Sequence, residues 1–312
     1  MDPLSEMLSL LKLKTYVSGG FVVNEQSCIQ FPKHRGLKCY SVVAGSCFLA
    51  MEGVTDPVFM GEGDSILLPR GRPFCLATDL SSPPVNFDVQ MAARRPEVPL
   101  FSDAVGGCSV LGGHFLMTGG HADILLNALP PIVHIRNESS KEVMRWSLES
   151  LREELRDPQL GGSLVAQQLA YILLVKALRL YLQSEATRGV GWLFALADPQ
   201  MRAAIACMHN DPGHPWKLQE LAHHVGMSRT VFAQRFKERV GMTSMEYLTH
   251  WRMLLASDRL QTSDDPVSKI AWSIGYGTES AFGKAFKRVL GYSPREHRRR
   301  YQAEPLPGTT DE

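Results

Sequence analysis

Two stretches near the C-terminus decide the fold: LQELAHHVGMSRTVFAQRFKERVGMTSMEY, starting at Leu218, and VSKIAWSIGYGTESAFGKAFKRVLGYSPREH, starting at Val267. Laid over one another they match. Ala222, Gly226, Phe232, Phe236 and Gly241 of the first fall on Ala271, Gly275, Phe282, Phe286 and Gly291 of the second. The offset moves from 49 to 50 residues between the glycine and the first phenylalanine, so the second turn is one residue longer. Each repeated position has a physical cause. A small Ala lets one helix approach the next closely. The Gly after it supplies the left-handed residue that ends a helix and begins a tight turn. Ser228 and Thr278 stand where a hydroxyl caps the following helix. The phenylalanines, four residues apart, lie on one helical face and fix it to a core, and Gly241 and Gly291 end the second helices. The spacing predicts two helix-turn-helix units.

With the phenylalanines inward, helical periodicity sets what faces out. The first unit presents Thr230, Gln234 and Lys237; the second presents Ser280, Lys284 and Lys287. Hydroxyl, amide and ammonium groups suit base edges and phosphates in a major groove. One such face alone reads better as solvated surface, but two behind matching frames point to double-stranded DNA. The helix between the units, Ser244–Gln261, spans roughly 27 Å at 1.5 Å per residue. That is long enough to hold two reading helices about one DNA turn apart.

This region resembles the AraC/XylS family of transcription activators. The resemblance covers about a hundred residues. It is carried by LQELAHHVGMS, the Phe232–Phe236 pair, Ile270-Ala271 through Gly275-Tyr276, Phe282, Phe286-Lys287 and Gly291-Tyr292-Ser293-Pro294. Gly275-Tyr276 stands where the family usually has Gly-Phe. The resemblance implies base contacts from around Thr230, Ala233 and Gln234, and from around Glu279, Ser280, Gly283 and Lys284. Gly283 has no side chain, which weakens direct readout by the second unit. With Ser228, Arg229, Lys237, Thr278 and Lys287 these form the candidate DNA-binding set. The resemblance also implies a homodimer and RNA polymerase as a partner.

Composition agrees. At 312 residues, 44% apolar and 21% charged, the chain is expected to form two globular domains. The net charge of +1 conceals an asymmetry: residues 198–301 carry +6, residues 1–197 carry −2, and 302–312 carry −3. A basic region beside a near-neutral one suggests that one domain meets a polyanion. The apolar run Leu169–Leu182 is interrupted by Lys176 and Arg179, and reads as too short and too charged for a membrane span. Residues 1–13 lack a signal-peptide pattern, so a cytoplasmic protein is expected.

The expected fold class is α+β with two domains: an N-terminal cupin-like β-barrel with dimerisation helices, and a C-terminal all-α double helix-turn-helix. Short apolar runs at Cys39–Ala44, Cys47–Met51, Val58–Met60, Ser65–Leu68 and Val85–Met91, separated by Gly and Pro, predict antiparallel strands. Gly112–Met117 adds a strand and Ile124–Leu129 a short helix. From Ser140 the period is helical, through Lys141–Arg156 and Ser163–Gln183. The second of these is apolar most of the way round, so it must be buried in the core or against a second copy. The boundaries drawn are 1–135 for the sensing domain, 136–197 for helical dimerisation and linker, 198–301 for DNA binding and 302–312 for a flexible tail.

Residues 1–135 resemble the cupin-type N-terminal domain of one branch of the same family, through MDPLSEMLSLL, GSCFL at Gly45–Leu49, GEGDSILLPRG at Gly61–Gly71 and ALPPIVHI at Ala128–Ile135. Catalytic cupins hold a metal, but here Phe74 stands where the second motif requires His, and Cys39-Tyr40-Ser41 replaces His-x-His. No metal, cofactor or enzymatic activity is expected. Two ways of sensing remain. One is a small-molecule effector in the barrel, with Phe48 and Phe74 as candidate walls. The other is oxidation of thiols, with Cys39, Cys47 and Cys75 as candidates and a Cys39–Cys47 pair if the turn between them is a hairpin.

Overall fold

A computed structural model describes residues 2–10, 12–92, 107–117, 129–136, 138–157, 159–185 and 190–303. The chain forms two compact units. One comprises the described residues of Leu13–Thr118 and Ala122–Ser184; the other those of Met1–Lys12 and Glu185–Glu312.

The first unit holds two five-stranded sheets. In strand order β1 (Leu13–Val23), β9 (Cys108–Met117), β3 (Leu37–Ala44), β6 (Ser65–Leu68) and β10 (Val133–Ile135) form one, all neighbours antiparallel. β5 (Val58–Met60), β4 (Cys47–Met51), β7 (Phe74–Ala77), β2 (Cys28–Phe31) and β8 (Pro84–Asn86) form the other, with β2 and β8 parallel. Strand alternation sends Tyr40, Val42, Leu49, Met51, Phe31 and Phe74 into one core shared by both sheets. Burying each such side chain stabilises the unit by about 1.5–3 kcal/mol.

The opposite face of the first sheet lies under helices. Leu37, Cys39 and Phe115 point that way and are fully buried. Helix α3 (Glu138–Arg156) and helix α4 (Gly162–Glu185) cover it. Gly113 makes the approach close: a Cβ there would meet Ala170 of α4 at 3.0 Å. Contrary to the sequence reading, α4 over Gly162–Gln183 is long and apolar enough to cross a membrane, the only such helix among the described residues. Its apolarity has another account. Ala166, Leu169, Ala170, Leu173, Leu174, Ala177 and Leu178 form a buried stripe, and Lys176 donates to the Val143 carbonyl at 2.9 Å and to Ser147 Oγ at 2.8 Å.

Two further expectations are revised. Val85–Met91 is not one strand: β8 ends at Asn86, whose Oδ1 accepts the Asp88 N–H at 2.8 Å, and helix α2 (Phe87–Ala92) begins. The expected helix at Ile124–Leu129 falls outside the described residues except for Leu129. At the other end, residues 3–10 form helix α1 (Pro3–Leu10), capped by Asp2 accepting the Ser5 N–H at 3.1 Å. Although drawn with the β domain on sequence, α1 packs in the helical unit, where Glu6 reaches His209 at 2.9 Å.

That unit continues through α5 (Trp192–Ala195), α6 (Pro199–Asn210), α7 (Leu218–His224), α8 (Arg229–Val240), α9 (Ser244–Thr262), α10 (Val267–Ser273), α11 (Glu279–Leu290) and α12 (Pro294–Ala303). Helix α9 runs between the two repeats and packs on elements of both.

Candidate nucleic-acid interface and sensing site

The repeat seen in the sequence is a repeat in space. In the first unit Gly226 has φ +67 and the Met227 N–H reaches back to the Ala222 carbonyl at 2.9 Å; in the second Gly275 has φ +86 and the Tyr276 N–H reaches Ala271 at 3.0 Å. Only glycine adopts that turn without strain. Ser228 Oγ then caps α8 by accepting the Val231 N–H at 3.3 Å, and Thr278 Oγ1 caps α11 by accepting the Ala281 N–H at 3.2 Å. Gly241 (φ +83) and Gly291 (φ +85) end the two helices in the left-handed conformation.

Phe232, Phe236, Phe282 and Phe286 are fully buried. Their opposite faces are open. Arg229, Thr230, Gln234 and Lys237 on α8, and Glu279, Ser280, Lys284 and Lys287 on α11, are all exposed, with Ala233 and Gly283 half-buried at matching positions. The Gln234 amide donates to Glu238 Oε1 at 2.9 Å, which holds it along the helix surface. Arg229, Glu279 and the caps Ser228 and Thr278 stand at the helix N-termini, where exposed N–H groups suit an anion. Sequence reasoning passed over Val231, 53% exposed in the first turn of α8, because an apolar residue there looks like core. A methyl-bearing side chain at that point suits the methyl group of thymine.

The two frames are fixed differently. Arg235 of α8 donates to Asp198 Oδ2 at 3.0 and 2.7 Å and to Gln200 Oε1 at 2.9 Å, tying the reading helix to the start of α6. Its counterpart in α11 is Ala285, simply packed in the core.

In the β unit, Phe74 lies inside, stacked on Phe31 with ring centroids 4.5 Å apart. Phe48 lies on the outward face of β4, against the exposed Phe59 at 5.4 Å. The two phenylalanines are therefore not brought together. Beside Phe74 stand Lys38, His114 and His34, which the sequence did not bring together: the two histidines read as scattered surface or loop residues, and Lys38 as a cation near the thiols. The Lys38 side chain is buried, its ammonium 4.8 Å from the Phe31 ring and 5.2 Å from Phe74. Burial draws its pKa down to about 8. His114 is its cross-strand neighbour, and His34 sits 5.6 Å from His114, ring to ring.

Comparison with known proteins follows this division. Residues 2–183 match the cupin family and residues 221–300 a helix-turn-helix domain family. An AraC-like transcription regulator of Streptomyces lividans is 38% identical over 96% of this chain and 98% of its own length. One from Streptomyces antibioticus is 37% identical over 98% and 100%. The HTH-type transcriptional regulator AlkR of Acinetobacter baylyi is 30% identical over 84% and 87%. The chain belongs to the AraC/XylS family of transcription regulators.

This AraC/XylS regulator is a DNA-binding protein. Among the described residues no three His, Cys, Asp or Glu side chains converge as a metal site, and Phe74 fills with a ring the place where a catalytic cupin would put a histidine. The thiols are arranged otherwise than the hairpin idea expected. β3 and β4 are consecutive but lie in different sheets, so Cys39 faces the helices while Cys47 faces the core. Cys47 hydrogen-bonds Cys108 instead, and its thiol is pushed up by that contact and by burial. Cys75 hydrogen-bonds Cys28, whose thiol burial raises to about 11. Burial alone lifts Cys39 to about 12.

Proposed function

We propose that this regulator reads its operator through α8, grips DNA with α11, and does so as a homodimer whose β domain senses a small-molecule effector. The observation that carries this reading is the pair of equal frames with polar outer faces. Thr230 and Gln234 offer the hydroxyl and amide that read base edges, Gln being suited to adenine. Ser280, Lys284 and Lys287 offer groups suited mainly to phosphate. A dimer is supported by the outer surface of α3 and α4, where Trp146 is 60% and Leu164 61% exposed beside Val143, Val165 and Ile172. Leu174 and Leu178 do not belong to that surface: both are buried, so a charge there tests folding and not pairing. RNA polymerase is the further partner expected of an activator bound near a promoter, and the working place is the cytoplasm, where bacterial DNA lies.

A thiol switch finds less support. A buried thiol with a raised pKa is a poor nucleophile, and Cys39 and Cys47 are not neighbours.

Selection of genomic fragments by the purified protein, followed by footprinting, tests the proposal. The expected result is a recurring site with protected major-groove segments about one turn apart. Random fragments recovered as efficiently as any enriched one would refute it.

A further inference from the structure

An open cleft of about 650 Å³ runs between α3 and α4, lined by both helices and the turn that joins them. That volume suits a small molecule. Helical spacing explains what meets there: Trp146, Ser150, Glu153, Glu154 and Asp157 recur every three or four residues and share one face of α3. The lining divides in two. Trp146, its side chain 60% exposed, forms an apolar wall with Val165 and Leu169 of α4. Glu153, Glu154 and Asp157 bring three carboxylates against a single guanidinium, that of Arg156.

Glu154 is the member that calls for an explanation. Its side chain is half-buried, and its Oε1 is enclosed with no hydrogen-bond partner among the described residues. A Cβ on Gly162, the first residue of α4, would collide with that oxygen, so the glycine lets the helix start hard against the carboxylate. An enclosed carboxylate oxygen without a donor is costly and marks a place where a donor belongs. The nearby cations do not supply one. Lys176 lies over the Trp146 ring at 5.4 Å, but its ammonium donates to the Val143 carbonyl and to Ser147. Arg156 is exposed.

We propose that this cleft binds a protonated organic amine, whose N–H donates to Glu154 Oε1 and whose apolar body lies on Trp146, Val165 and Leu169. The missing donor selects a primary or secondary amine over a quaternary ammonium, which is charged but has no N–H. The Trp146 ring adds attraction for the cation. This site lies outside the interior shared by the two sheets and goes beyond the effector reading above. It opens on the α3–α4 surface proposed for pairing, but its groups all come from one chain.

The test uses the full chain and two soluble probes of similar size, 2-phenylethylammonium and neutral 2-phenylethanol. They are titrated by calorimetry at neutral pH against wild type, Glu154→Gln, Trp146→Leu and Glu142→Gln, with melting curves to check folding. Glu142 is exposed on α3 and does not line the cleft. Wild type is expected to prefer the amine by at least about tenfold, the scale of one charge-assisted hydrogen bond. The preference is lost in Glu154→Gln and kept in Glu142→Gln, while Trp146→Leu weakens amine binding about threefold. A further check needs no variant: the N,N,N-trimethyl form of the same amine should bind wild type about tenfold more weakly. Equal binding of amine and alcohol, a preference that survives Glu154→Gln, one abolished by Glu142→Gln, or a trimethyl form that binds as tightly overturns the site. Binding of neither probe also overturns it. If Glu154→Gln then weakens self-association in sedimentation, the cleft takes a basic side chain of a second copy instead.

Discussion

The two helix-turn-helix units share one frame and carry different chemistry. Both have the left-handed glycine turn, the hydroxyl cap and the two buried phenylalanines. Outside that frame the first offers Val231, Ala233 and Gln234, a surface suited to distinguishing bases. The second offers Gly283 where the first has Ala233, with lysines around it. The difference teaches that a duplicated fold need not be a duplicated function: packing constrains the inward face and leaves the outward one free to diverge. Sequence discrimination is expected to reside in the first unit and a larger share of salt-dependent affinity in the second.

The frame itself should break equally in both units. Phe232→Ala and Phe282→Ala each empty a fully buried ring site and should cost about 3–5 kcal/mol, read by denaturant unfolding. A loss in one unit alone would show that the frames are not equivalent. Acid should separate them. His209, buried, stacked on Trp251 with centroids 3.6 Å apart and bonded to Tyr247 and Glu6, is held down to about 3 by burial. His297, which packs on Phe286 as Tyr247 packs on Phe236, is also lowered by burial. A folded pKa below the unfolded value means stability present above about pH 6.5 and lost as pH falls. For His209 the loss is about 1.4 kcal/mol per pH unit towards pH 5, below which the raised pKa of Glu6 opposes it. Replacing His209 with Gln should flatten the stability profile between pH 7 and 5, and an unchanged slope would contradict this. The smallest effect is at the caps. Ser228→Ala and Thr278→Ala should each cost about 1 kcal/mol, measured as a shift in unfolding midpoint.

What was legible in the sequence follows from the range of the interactions. The helix-turn-helix units could be read because their contacts are local: Met227 to Ala222, Val231 to Ser228 and Gly241 to Lys237 all fall within five residues. The β unit was legible as strands but not as a site. Lys38 meets His114 across 76 positions of sequence, and Phe31 meets Phe74 across 43, so no spacing rule announces the aromatic cage. The Cys39–Cys47 hairpin failed because the chain changes sheets between β3 and β4. Phe48 was proposed for the interior although Cys47, Leu49 and Met51 take the inward positions of β4. Helix α1 was grouped with its neighbours in sequence, whereas the Glu6–His209 contact places it with helices two hundred residues away.

The central claim is the division of labour between α8 and α11. It is tested most directly by measuring affinity for the selected operator and for a scrambled duplex across a range of salt, in wild type, Gln234→Ala and Lys287→Ala. Gln234→Ala should lose roughly 1–3 kcal/mol on the operator, leave the scrambled duplex nearly unchanged, and keep the salt slope. Lys287→Ala should weaken both duplexes together and lower the slope by about 1. An operator-to-scramble ratio untouched by Gln234→Ala but collapsed by Lys287→Ala would contradict the account.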